Sequence, residues 1–93
     1  MKINSRVGAV LSVDDKHVNL LGYGVYIGDL RCSISIASIN PCILLDNGRY
    51  VWGCQCWWGE EERMKEEIES WLNGSVKRTI NEVEVENVPP TKD

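Results

Sequence analysis

The stretch Cys42-Ile43-Leu44-Leu45-Asp46-Asn47-Gly48-Arg49-Tyr50-Val51-Trp52 limits the fold of this chain more than any other. Asn-Gly between two apolar runs is the strongest short hairpin signal, because both central residues of the tight turn need positive φ. A two-residue loop predicts the pairs Asp46–Arg49, Leu45–Tyr50, Leu44–Val51 and Ile43–Trp52. One face of the hairpin then carries Leu44 and Val51. The other carries Ile43, Leu45, Tyr50 and Trp52. Both faces are apolar, so both need cover. One helix covers one face. The other must meet a second sheet layer, a partner chain or a ligand, which leads to the expectation of a homo-oligomer, a dimer or higher.

The remaining elements follow from punctuation and periodicity. Arg6–Val13 reads as a strand, Asp14-Asp15-Lys16 as a turn, and His17–Leu21 as the hairpin partner. Gly22 and Gly24 flank Tyr23 and mark a bulge or bend. Val25-Tyr26-Ile27 continues as strand until Gly28-Asp29. Residues 30–41 fit either a strand or a connecting loop, closed by Asn40-Pro41. Gly59 suits a helix N-cap, with Glu60, Glu61 and Glu62 in the first turn. Met64, Ile68, Trp71 and Leu72 form one apolar stripe, and Asn73-Gly74 stops the helix. Val76–Val85 reads as a last strand. The expected fold is α+β: a small antiparallel or barrel-like sheet of five or six strands with one helix in the C-terminal half, in the order ββ(β)ββαβ. Residues 1–88 form one domain and 89–93 a flexible tail.

Composition narrows the function classes. At 93 residues, 43% hydrophobic and 26% charged, the chain is globular and short. No apolar run reaches signal-peptide or membrane-span length, which gives a cytoplasmic expectation without membrane contact. Residues 1–59 carry Lys2, Arg6, Lys16, Arg31 and Arg49 against Asp14, Asp15, Asp29 and Asp46. Residues 60–93 hold ten acids against five bases, a net of −5. No basic stripe exists, so duplex nucleic acid is a poor partner.

Chemistry-bearing residues concentrate in Val51-Trp52-Gly53-Cys54-Gln55-Cys56-Trp57-Trp58-Gly59. Cys54 and Cys56 form a C-x-C pair, with Cys32 and Cys42 upstream. No C-x-x-C knuckle is present, so no metal or other cofactor is expected and the cysteines read as small buried apolar residues. His17, the only histidine, has no nucleophile or acid at a motif spacing and reads as an exposed turn residue. No catalytic residues emerge, and the chain is not expected to be an enzyme. The acids at the helix start already occupy the end that would otherwise attract a phosphate, leaving Arg6, Arg31 or Arg49 to neutralise an anion. The aromatic group Tyr23, Tyr26, Tyr50, Trp52, Trp57 and Trp58 could form a wall on which a base stacks, at about 1–3 kcal/mol per base. Alternatively Trp52 and Trp57 are core, and Trp58 staples the helix start against Arg63 or Met64. The ligand-binding candidates are Tyr26, Asp29, Arg49, Trp52, Trp57 and Trp58.

Gly22-Tyr23-Gly24-Val25-Tyr26-Ile27-Gly28-Asp29, Asn40-Pro41, Leu45-Asp46-Asn47-Gly48 and the Trp-Gly-Cys-Gln-Cys-Trp-Trp-Gly block together resemble a pattern in small proteins encoded by bacteriophages and prophages. The resemblance covers roughly residues 5 to 70. It implies a counter-defence role in the cytoplasm of an infected bacterium. One form of that role is a sponge that sequesters a nucleotide second messenger, of the cyclic oligonucleotide or cyclic ADP-ribose type, without cleaving it. The other is a protein-binding inhibitor of a host defence complex, comparable to anti-CRISPR proteins, using the acidic helix face.

Overall fold

The computed structural model describes residues 1–33 and 39–91. Its elements are β1 (Arg6–Val13), β2 (His17–Arg31), β3 (Ile39–Leu45), β4 (Tyr50–Trp52), a 3-10 turn (Gly53–Gln55), β5 (Trp57–Glu60), α1 (Glu61–Leu72) and β6 (Thr79–Glu82). The sheet order is β4-β3-β2-β1-β5, with β6 beside β2. All ladders are antiparallel except β2–β6, which is parallel. The fold is the expected α+β sheet with one helix.

The strand β2 organises the sheet. It is 15 residues long, which at about 3.3 Å per residue is close to 50 Å, and the molecule measures 47 × 23 × 22 Å. The two apolar runs read separately in the sequence are one strand, bent where Gly22 has φ +136° and again at Gly28 with φ +118°. At the first bend the register against β1 shifts, so that Ala9 faces Gly22 while Val10 faces Leu20. The extra residue, Leu21, joins the opposite face from Leu20. Gly24 is needed for contact: a Cβ there would collide with the Leu44 carbonyl oxygen on β3. Of the stretch left open between strand and loop, Leu30–Arg31 and Ile39–Pro41 lie in strands, and residues 34–38 lie outside the described residues.

The hairpin of β3 and β4 forms, but with a different register from the two-residue loop. The pairs are Cys42–Trp52, Ile43–Val51 and Leu44–Tyr50. Leu45 N–H donates to Arg49 O at 2.9 Å and Gly48 N–H to Leu45 O at 2.9 Å. Gly48 takes φ +87° while Asn47 does not go positive. This is a three-residue loop closed by a left-handed glycine. A one-residue slip moves one strand's side chains to the other face. Ile43, Leu45 and Val51 therefore share one cluster, and Cys42, Trp52 and Tyr50 another.

The helix lies on the face of Val10, Val18, Leu20 and Tyr23 through Met64, Ile68, Trp71 and Leu72. Gly8 lets it approach, since a Cβ there would lie 2.9 Å from the Tyr23 ring and 3.1 Å from Met64 Cβ. The N-cap is Glu60, not Gly59, because Trp57–Glu60 is strand on β1. The opposite face gathers Val7, Ala9, Leu21, Tyr26, Ile43, Leu45 and Val51. Its cover comes from the same chain. After β6 the backbone runs on as an extended strap whose Val83 and Val85 pack on this cluster. Arg49 Nη2 donates to Val85 O at 2.6 Å, Tyr50 N–H to Asn87 Oδ1 at 2.7 Å, and Trp52 Nε1 to Val88 O at 2.8 Å. Within the segment expected as a tail, Thr91 N–H donates to Arg31 O at 3.2 Å, and residues 92 and 93 lie outside the described residues.

Candidate functional site

The aromatic group does not form one wall: Tyr26 and Trp58 pack in one cluster, Tyr23 in a second under the helix, and Tyr50 and Trp52 in a third. Alternation along β5 sends Trp57 and Trp58 to opposite faces of the sheet. Trp58 stacks on Tyr26, with ring centroids 5.6 Å apart and planes 22° from parallel. It packs against the Val7–Ile43 cluster, so it does not staple the helix start. Tyr26 is buried, and its hydroxyl donates to Asp29 Oδ1 at 2.7 Å. That hydrogen bond to a carboxylate is the main reason the Tyr26 pKa is raised, with burial adding to it. Tyr26, Asp29 and Trp58 are thus brought together.

Trp52 is elsewhere. It is fully buried beside Cys32 and Cys42. Its one N–H is used on the strap, so it offers neither face nor donor to a ligand. Arg49 is likewise engaged, with Nη2 on Val85 O and Nε 3.4 Å from Glu84 Oε2. The guanidinium holds the strap, and leaves little positive potential for an incoming phosphate.

Trp57 is the exposed aromatic, at 62%. Its neighbour is Trp71 of the helix, edge-to-face with centroids 6.4 Å apart. Sequence reasoning assigned Trp71 to the core stripe; only the placement of β5 along the helix brings the two indoles together. Glu67 lies one helical turn before Trp71, with Arg63 Nε at 4.0 Å, and Arg78 Nη1 donates to Trp71 O at 2.9 Å. Glu60, exposed at the end of β5, falls on the opposite face of the strand from Trp57. The strand β5 is also the last strand of the sheet order, and none of the described residues hydrogen-bonds to its outer edge at Trp57–Gly59.

Arg6 is a residue that the sequence reading placed only among possible anion partners. Its guanidinium forks onto both oxygens of Asp46 at 2.7 and 2.8 Å and reaches Glu61 Oε1 at 2.9 Å. Hydrogen bonding to Arg6 lowers the pKa of both carboxyls, and Lys65 adds to the effect on Glu61. The hairpin loop, β1 and the helix start are tied at one point. Arg6 is therefore occupied, and the acids at the helix start keep the positive end closed to a further anion.

Grooves on the surface follow the same polarity. The one of about 320 Å³ beside the β2 bend is lined by Leu20, Leu21, Gly22 and Asn47, with Glu82 and Glu84 at its rim. The cysteines divide. Cys32 and Cys42 are buried core residues, Cys56 is half-buried with its thiol on Trp52 O at 3.5 Å, and Cys54 is exposed. Burial pushes the Cys42 and Cys56 thiols up to about 12. Among the described residues no group of three or more His, Cys, Asp or Glu side chains is placed to hold a metal ion, and no helix is long and apolar enough to cross a membrane. No protein-family model, curated protein or solved structure matches this chain.

Proposed function

We propose that this protein acts by binding rather than by catalysis, and that its principal partner is a protein with a basic surface. Of the two counter-defence roles implied by the phage resemblance, this is the second, inhibition of a host defence complex in the bacterial cytoplasm through the acidic helix face. The observation that carries this reading is Trp57: a large apolar ring left 62% exposed and braced by Trp71, which lies in a segment, residues 60–93, with a net charge of −5. Exposed tryptophan is costly unless it meets a partner, and such residues dominate interface energetics. The acidic excess of residues 60–93 favours a partner bearing Lys and Arg and disfavours phosphate.

The test is a photo-crosslinker. Trp57 is replaced by p-benzoylphenylalanine and the protein is exposed to host extract. The expected result is one discrete protein adduct, competed away by excess wild-type protein and not by Trp57→Ala. Equal competition by Trp57→Ala would sink the reading.

Sequestration of a nucleotide second messenger is the second reading, supported by the Tyr26–Trp58 stack next to Asp29. A base could lie on the outer face of Trp58. Against it, two of the three arginines that could neutralise the phosphates, Arg6 and Arg49, are held by carboxylates. A thermal shift from a panel of cyclic nucleotides, with the nucleotide recovered intact after denaturation, would return this reading to first place.

A further inference from the structure

We infer that the outer edge of β5 is a strand-addition site for an extended, arginine- or lysine-bearing segment. The inference rests on the protein-partner reading and names the form the partner presents. Three observations converge on this edge. First, β5 closes the sheet order on its side, and no main-chain hydrogen bond outside the β1 ladder is made by Trp57–Gly59 among the described residues, while Glu60 O is used as the helix N-cap. Such an edge is a template for an added strand, through main-chain bonds that need no particular sequence.

Second, the opposite end of the sheet is treated differently. At β4, Tyr50 N–H is met by Asn87 of the strap, and Trp52 is tied to Val88. Among the described residues, the C-terminal segment covers the β4 edge and nothing hydrogen-bonds along the β5 edge at Trp57–Gly59.

Third, the side chains beside the open edge select a cation. On the helix side of β5, Trp57 is followed by Gly59, whose missing side chain leaves room against Met64. An added strand would place alternate side chains on this side, beside Trp57, Trp71 and Glu67. A guanidinium over an indole face with a carboxylate at hand is a favourable arrangement. Two bases are near: Arg63 is 4.0 Å from Glu67 and 75% exposed, so it can swing away, and Arg78 is engaged by the main chain, donating to Trp71 O at 2.9 Å and Asp14 O at 2.6 Å.

The experiment uses the full chain, isotope-labelled for NMR, and two synthetic peptides of alternating arginine and valine. The second peptide carries N-methyl groups on alternate backbone nitrogens, which keeps its charge and removes its donors along one edge. The first peptide is expected to bind with amide shifts confined to 57–60 and 67–71. The methylated peptide and the Trp57→Ala variant should each weaken binding at least tenfold, with the variant's fold checked by its spectrum. Equal binding of both peptides would overturn the edge-pairing inference while leaving recognition of basic partners standing. Absence of any binding by the first peptide at low salt would also overturn it, and the crosslink at position 57 then judges the protein-partner reading separately. Shifts centred on Glu82–Glu86 would place the basic peptide on the strap and equally reject the β5 edge.

Discussion

Neighbouring tryptophans in this chain have opposite jobs, and substitutions should separate them. Trp58 is packed on Tyr26 and the sheet core, so Trp58→Ala should destabilise by about 2–3 kcal/mol in urea denaturation, through lost burial and a partial cavity. Trp57→Ala should change stability by less than about 0.5 kcal/mol, because it removes mostly solvent-facing surface. Comparable losses for the two would mean that Trp57 is structural. The thiols differ in the same way. Cys54 is exposed, while Cys32 and Cys42 are buried and Cys56 is half-buried with a raised pKa. A thiol reagent near neutral pH should label Cys54 quickly, and the other three on the timescale of unfolding. Fast labelling of two thiols in the native protein would contradict the placement of Cys56.

Elements are held in register by a few polar ties. Arg6 joins β1, the β3–β4 loop and the start of α1 through Asp46 and Glu61. Both carboxyls have pKa values below their ordinary ones, mainly because of Arg6. A carboxyl whose pKa is lowered in the folded state stabilises above its unfolded pKa. That contribution is lost as pH falls through the folded value. Stability should therefore decline as pH drops below the ordinary carboxylate range, and Arg6→Gln should flatten this part of the profile. Urea midpoints measured against pH for both proteins check it, and parallel profiles would refute it. The hairpin depends on Gly48, which has open space around it and a left-handed backbone. Gly48→Ala should cost about 1–2 kcal/mol from backbone strain alone.

For the whole molecule, the question is what covers the second sheet face. A hairpin apolar on both sides predicts a homo-oligomer. The strap supplies intrachain cover through Val83 and Val85, and uses Arg49, Tyr50 and Trp52 to hold it. The proposal that copies associate thus loses its strongest motive. Light scattering at micromolar concentration should give the mass of one 10.5 kDa chain. A variant ending at Glu82 should expose the Val7–Ile43 cluster and self-associate. If the full chain already runs as a dimer, the strap is not sufficient cover.

Much of this architecture is legible in local sequence. Alternation marked β1 and both parts of β2, Asn47-Gly48 marked the hairpin, and Met64, Ile68, Trp71 and Leu72 marked the buried stripe of the helix. These signals are short-range: periodicity of 2 or 3.6 and the φ preference of glycine act within a few residues. The hairpin register was not legible, because Asn-Gly suits both a two-residue loop and a longer one ending in a left-handed glycine. The outcome moves Ile43 and Val51 to one face and Trp52 to the other. Nor could the sequence alone tell that Trp57–Glu60 is a strand on β1, that Arg6 meets Asp46 and Glu61, or that Arg49 holds the strap. Those are contacts across 36 to 55 residues of chain. They are set by which surfaces the folded sheet brings together. The aromatic block at 52–58 was visible from composition. Its division into a buried Trp52, a stacked Trp58 and an exposed Trp57 was decided by tertiary structure, because a strand's pleat sends neighbours to opposite sides and only the packed helix and strap determine which side is covered.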